Sequence, residues 1–198
     1  AEKASGSYLL LLNNDTKIHT PNWMELMLGQ AMQPHTGVVG VKLLYPNDTI
    51  QHAGVVIGIG GVATHVLVGL PPNDAAYHNQ LNLTTNYCAV TAACILVKKE
   101  LFNQVGKFDE RFEVDFNDID FCLKIKLLGY NNVYLPSVIV YHYESISRGN
   151  PHQNKDSFRR HLVEIELFKE KWGQFIENDP CYNINLSKKN VNFELEEV

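Results

Sequence analysis

No stretch of this 198-residue chain is apolar over anything near the ~20 residues that a membrane-crossing helix needs. No signal-peptide pattern opens it. Basic residues are not in excess: 17 Lys and Arg stand against 22 Asp and Glu, a net charge of −5. That balance argues against nucleic acid as the main partner. Cysteine is sparse, and Cys88, Cys94, Cys122 and Cys181 show no metal-binding spacing. Cys94 and Cys122 lie in apolar segments and read as small buried hydrophobes of a reducing compartment. Internal repeats and low-complexity tracts are missing too. What remains, 45% hydrophobic and 20% charged residues, is a globular composition. The length fits one domain that buries about 70% of its unfolded surface.

The chain has almost no lead-in before Tyr8 to Leu12, YLLLL. A run without polar alternation reads as a strand buried on both faces, inside a sheet. Such a strand needs two neighbours, so the expectation is that the chain is the later part of a larger domain. Asn13-Asn14-Asp15-Thr16 follows directly. Open α/β sheets place ligands at that end of a strand, although an Asx turn accounts for the same residues. Pro21 opens a helix to about Gln33, with Trp23, Met24, Met27, Leu28 and Ala31 as its apolar face.

Gly37 to Tyr45, a turn over Pro46 to Thr49, and IQHAGVVIGIG from Ile50 read as a hairpin. His52 is a structural hydrogen-bonder or a substrate contact. Residues 62–80 read as a long surface excursion. Asn86 to Lys98 is a further buried strand, and Lys99 to Val105 a short helix stopped by Gly106. Two short strands, Asn131 to Leu135 and Ser137 to His142, are separated by Pro136. Ser157 to Trp172 reads as a last helix with Phe158, Leu162, Ile165 and Phe168 or Lys169 along one side. Residues 179–198 read as a tail, ordered only in part.

The richest stretch is Phe112 to Tyr130, FEVDFNDIDFCLKIKLLGY. Asn117 suits a helix N-cap and Gly129 a C-terminal stop. Asp118, Phe121, Cys122, Ile125 and Leu128 form one helical stripe. Asp118 thus sits at the open end of an apolar stripe, held by the core yet able to face a cleft. Asp118 and Asp120 also read as ordinary first-turn acids that favour the helix dipole.

Asn14-Asp15, Asp118 with Asp120, and His142 would gather on one edge of an open α/β sheet. One Asp and one His suit Mg²⁺ or Mn²⁺ beside a diphosphate. A separate carboxylate is then left to remove a proton.

LLLLNNDT, TAACILVKKELFNQVGKFDE, FNDIDFCLKIKLLGYNNVYLP and YHYESISRG, in that order and spacing, resemble the later half of bacterial family-2 glycosyltransferases. The similarity runs from about Gly6 to Gly149 and points to the rhamnosyltransferase-like branch of O-antigen and surface-polysaccharide synthesis. It implies the α/β GT-A fold of nucleotide-diphospho-sugar transferases, with residues 1–178 as its C-terminal portion. It also implies a divalent metal, a nucleotide-diphospho-sugar donor and a glycan or lipid-linked glycan acceptor. The reaction would be cytoplasmic, with peripheral association at the inner face of the plasma membrane.

Position by position, the family's DXD motif falls on Asn13-Asn14-Asp15, with Asp15 as metal ligand and Asn13 and Asn14 beside the donor diphosphate. Asparagine at the first position leaves Asn13 a doubtful direct ligand. The family's Glu-Asp pair falls on Asn117-Asp118, making Asp118 the general base. Asp120, Asn117 and His52 would orient the acceptor side. His142 matches a late metal-contacting histidine, and Arg148 a loop residue that meets the diphosphate. Members of the family begin with a nucleotide-binding half that nothing here matches. The substitutions at Asn13 and Asn117 keep a second reading open, a non-catalytic carbohydrate-binding or scaffolding module of the same fold. A metal-dependent nucleotidyltransferase or phosphoesterase would also cluster aspartates.

Overall fold

In a computed structural model, residues 1–143 and 155–196 are described. Nine strands and four helices follow one another. β1 is Tyr8–Leu12, β2 Thr16–Ile18, α1 Trp23–Ala31, β3 Thr36–Leu44, β4 Ile50–His52, β5 Val55–Ile57, β6 Ala63–His65 and β7 Thr85–Tyr87. Then come β8 Cys94–Lys98, α2 Lys99–Gln104, α3 Asn117–Leu127, β9 Asn131–His142 and α4 Lys155–Glu177.

The main sheet runs β1-β8-β3-β9-β2, with β4 added on β3 and β7 on β9. β3 and β9 are parallel, while β8 runs antiparallel to both β1 and β3. β1, β3 and β9 therefore point the same way, and their C-terminal ends share one edge. β5 and β6 form a separate two-stranded sheet.

β3 is buried along its whole length, as a central strand covered on both faces must be. Val39, Val41 and Leu43 face α1, where Met27 and Ala31 are buried. Val38 and Leu44 face the larger core, built with Phe121, Cys122 and Ile125 of α3. The helix can approach closely because residue 37 is glycine. A Cβ there would stand 2.4 Å from the Ile125 Cγ2 atom.

Several expectations need correction. β1 is an edge strand here, paired only with β8, and Leu9 alone of its residues is buried. The Leu run serves an edge because α1 and the loops cover part of it. On α1, Leu26 packs toward the sheet while Met24 and Leu28 are exposed. The hairpin is real through His52, but Gly54 at φ +115° turns the chain out into the second sheet. Residues 62–80 are no mere surface excursion, since Val66 and Leu67 are buried. Asn86 to Lys98 is two strands, β7 and β8, joined by a buried segment.

Pro136 does not break β9. The strand carries a register shift against β3 there and continues, as bulges allow. The inward side of α4 is Glu164, Phe168 and Trp172, while Phe158 and Leu162 are exposed. The tail is integral, with Tyr182, Leu186 and Phe193 buried in the larger core.

Candidate active site

The polar edge is built where β1, β9, β4 and α3 meet. His142 ends β9, and Asp15 follows β1 by three residues. Strand pairing sets their approach: Thr16 of β2 lies opposite His142, and the Tyr143 N–H donates to the Asp15 carbonyl at 2.9 Å. Asp15 Oδ1 then lies 3.2 Å from His142 Nε2.

The tautomer of His142 is fixed by a residue that the sequence did not flag. Gln51 Nε2 donates to the His142 carbonyl at 3.3 Å. Only the amide nitrogen can do that, so Gln51 Oε1, 2.8 Å from His142 Nδ1, accepts the Nδ1–H. In the neutral ring Nε2 keeps a lone pair, which accepts a hydrogen bond from Asn13 Nδ2 at 3.2 Å. Asp15 Oδ1 is buried and forms no hydrogen bond, despite its distance from Nε2. A carboxylate oxygen and an imidazole nitrogen at this distance are held together by a proton on Nε2 or by a cation that lies against both. The donor set, one carboxylate oxygen and one imidazole nitrogen, fits Mn²⁺ or Mg²⁺. Asn13 spends its amide nitrogen on His142. Asn14 is exposed beside it.

Asp118 sits in the first turn of α3 and is partly exposed. Its Oδ2 accepts the Ala92 N–H at 3.0 Å and its Oδ1 the Ile119 N–H at 2.8 Å. The neighbouring residues of Ala92 tie the site together. The Ala93 carbonyl accepts the Asn13 N–H at 2.9 Å, and the Thr91 N–H reaches His52 Nε2 at 3.5 Å. Residues 91–93 thus join the β1 end, the start of α3 and β4. Their sequence, Thr-Ala-Ala, carries no chemical signal, and only the tertiary pairing reveals them. Gln51 did leave a trace, as a polar residue inside an apolar strand.

Asn117 is not the N-cap. Phe116 holds that position in a left-handed conformation at φ +61°, without a side-chain cap. Asn117 is the first helical residue, and its amide reaches the Val114 carbonyl at 3.4 Å. A bulky residue at that φ costs about 1–2 kcal/mol, so packing must hold it. The Phe116 ring lies 5.0 Å from Phe168 and 6.2 Å from His161, both on α4. Buried Glu164 accepts the Asp115 N–H at 2.6 Å, and burial pushes its own carboxyl up. His161 pairs with Asp115 at 2.9 Å.

Asp120 and His52 do not face the acceptor side. The Asp120 carboxylate is fully buried between α3 and α4. It accepts Trp172 Nε1 at 2.9 Å and pairs with Lys171 at 2.6 Å and Lys124 at 3.3 Å. Helix geometry explains the error: two residues after Asp118 a side chain has turned about 200° around the axis, into the interface. His52 is fully buried against His65 and Tyr134. Burial, then the nearby His65, holds it well below its ordinary value and therefore neutral. Arg148 lies outside the described residues.

Known proteins resemble the chain in sequence and fold. It is 43% identical over 196 residues to the uncharacterised protein y4gI of Sinorhizobium fredii, spanning 98% of this chain and 21% of that protein. It is 40% identical over 149 residues to the O-antigen biosynthesis protein RfbC of Myxococcus xanthus, 75% of this chain and 12% of that one. An N-acetylglucosaminyl-diphospho-decaprenol L-rhamnosyltransferase of Mycobacterium tuberculosis is 37% identical over 60 residues, 30% of this chain and 20% of its own length. The chain therefore spans a fifth or less of most of these relatives. No family model matches it.

Among solved structures, GalNAc-T7 with UDP, GalNAc and Mn²⁺ superimposes at a TM-score of 0.58 and 11% identity, over 93% of this chain and 44% of that one. A mannosyltransferase of Pyrobaculum calidifontis with GDP-Man and Mn²⁺ does so at 0.55 and 15%, over 89% and 45%. The fold is the GT-A fold. By sequence the chain is similar to these relatives over a small part of their length, and by fold it is similar to GT-A glycosyltransferases.

Proposed function

We propose that this chain carries the metal and acceptor-activating part of an inverting glycosyltransferase. It would move a sugar from a nucleotide-diphospho-sugar to a glycan acceptor, lipid-linked, in O-antigen-like polysaccharide synthesis. Residues 1–178, with the packed tail, would form the C-terminal portion of the GT-A domain. The observation that carries the reading is the approach of Asp15 Oδ1, buried without a hydrogen bond, to His142 Nε2 at 3.2 Å. They would hold a divalent cation, which supplies Lewis-acid neutralisation of the leaving diphosphate. Names of relatives and neighbours support the substrate class: one is an L-rhamnosyltransferase of a decaprenol-linked sugar, and two neighbours contain Mn²⁺ with a nucleotide or nucleotide sugar.

The remaining work falls to the chain's own residues. Inversion needs a base on the face opposite the leaving group. Asp118 is partly exposed and rigidly aimed by the Ala92 and Ile119 N–H groups. It takes the acceptor hydroxyl proton as the new bond forms, a contribution of roughly 10²–10⁴-fold. Asn13 orients His142, and exposed Asn14 is available to the diphosphate. Arg148 is proposed for the same diphosphate from its sequence position.

Two substitutions test the reading. Asp15→Asn should weaken Mn²⁺ binding to this chain, followed by electron paramagnetic resonance. Asp118→Asn, introduced into the full-length protein, should abolish sugar transfer and leave Mn²⁺ binding intact. Normal transfer by the Asp118→Asn protein would remove the catalytic reading and favour a carbohydrate-binding module.

A further inference from the structure

Two thiols lie together away from the polar edge. Cys88 is buried in the segment between β7 and β8, and Cys181 is half-buried at the start of the tail. The two sulfurs and an Asp179 carboxylate oxygen lie within 4.8 Å of one another.

Asp179 organises the pair. Its Oδ1 accepts the Cys88 thiol at 2.9 Å and the Cys181 N–H at 2.7 Å. Its Oδ2 accepts the Ile57 N–H at 2.8 Å. Backbone donors thus engage both oxygens, which disfavours a cation and leaves the sulfurs as the reactive atoms. The thiols are not equivalent. The neighbouring Cys88 side chain, together with the charge of Lys126, draws the Cys181 thiol below its ordinary value against the effect of burial. The neighbouring Cys181, then burial and the Asp179 charge, pushes the Cys88 thiol up. The accessible sulfur is the readier nucleophile, and the buried one stands behind it to resolve.

We propose that Cys88 and Cys181 form a reversible disulfide that ties the 179–196 segment to the chain entering β8. The oxidant is a low-molecular-weight disulfide such as oxidised glutathione. The Cys181 thiolate attacks one of its sulfurs, forming a mixed disulfide and releasing one thiolate, which takes up a proton. The Cys88 sulfur then attacks Cys181 Sγ as Asp179 receives the Cys88 proton. The second glutathione leaves as thiolate and takes that proton. Two protein thiols become one disulfide, and the oxidant becomes two thiols.

The test incubates the purified chain with oxidised glutathione, quenches with acid, and counts thiols after unfolding. Two of the four thiols should disappear, peptide mass spectrometry should find Cys88 joined to Cys181, and dithiothreitol should restore both. Closing so long a loop should raise Tm by about 5–10 °C. Cys181→Ser should stop all thiol loss, and Cys94→Ser should leave the bridge forming. Four surviving thiols, a lasting mixed disulfide on Cys181, or a bridge through Cys94 or Cys122 would each overturn the proposal. None of these readouts involves sugar transfer or metal, so a failure here leaves the proposed function standing.

Discussion

Gln51 Oε1 lies 2.8 Å from His142 Nδ1, and Gln51 Nε2 lies 3.3 Å from the carbonyl of the same histidine. One amide therefore grips both the ring and the backbone of this histidine, places a proton on Nδ1 and turns Nε2 toward Asp15. Partners of this kind typically contribute 10–100-fold to metal affinity. Gln51→Met, close in length but without either bond, should weaken Mn²⁺ binding by about that factor with the far-UV spectrum unchanged. Gln51→Glu keeps an acceptor for Nδ1–H and should bind nearly as well as the parent. Equal Mn²⁺ affinity in the Gln51→Met chain would mean that the histidine needs no such help.

A second expectation concerns stability. Asp120 is fully buried and meets Lys171, Lys124 and Trp172. Burial opposes the charge of Lys171, but its bonds to Asp120 and Asp109 outweigh that and raise it above its ordinary value. Removing the carboxylate leaves the lysines short of their partner. Asp120→Ala should cost about 3–5 kcal/mol in urea unfolding. The emission of Trp172, whose indole loses its acceptor, should shift in the folded state. A loss under 1 kcal/mol would show that α4 is held by its apolar contacts alone.

Lys42 predicts a rise of stability with pH. It is buried in β3, and among the described residues its ammonium donates to neutral acceptors, the Pro72 carbonyl at 2.9 Å and Asn82 Oδ1 at 3.1 Å. Burial lowers it to about 8, against about 10.4 for an unfolded lysine. Between those values the unfolded chain holds a proton that the folded chain has released, so stability increases as pH rises through the window. The increase should be visible in urea midpoints between pH 8 and 10. Lys42→Met should flatten it. Parallel pH curves for the two chains would contradict the assignment.

Gly37 tests how α3 is set against the sheet. A Cβ there meets Ile125 Cγ2 at 2.4 Å and Tyr130 Cβ at 3.0 Å. Gly37→Ala should cost about 1–3 kcal/mol through overpacking. Pairing it with Ile125→Ala, which removes Cγ2 itself, should cost less than the sum of the two single losses. Additive losses in the double variant would place the strain elsewhere.

Much of the fold was legible because it rests on local rules. The Leu run, the hairpin turn at residues 46–49, Gly106 and Gly129 mark element types through periodicity and backbone preference, and the structure follows them. The ordered motifs also carried the resemblance to glycosyltransferases. Their limits show at Asp118 and Asp120. The two share a first turn and a charge, yet one meets the edge of the sheet and the other is sealed under α4. Only the partner surface decides between them.

By itself, the sequence determined many of the secondary-structure elements, the resemblance to glycosyltransferases and the identity of Asp15, Asp118 and His142 as residues to watch. The tertiary structure alone decided that Gln51 sets the tautomer of His142, that residues 91–93 bind the polar groups into one site, and that Cys88 meets Cys181 across 93 positions, as their numbers show. The reason is physical. Periodicity and turn preference act over a few residues, whereas a hydrogen bond between distant residues exists only after strand order and helix packing have brought them within about 3 Å.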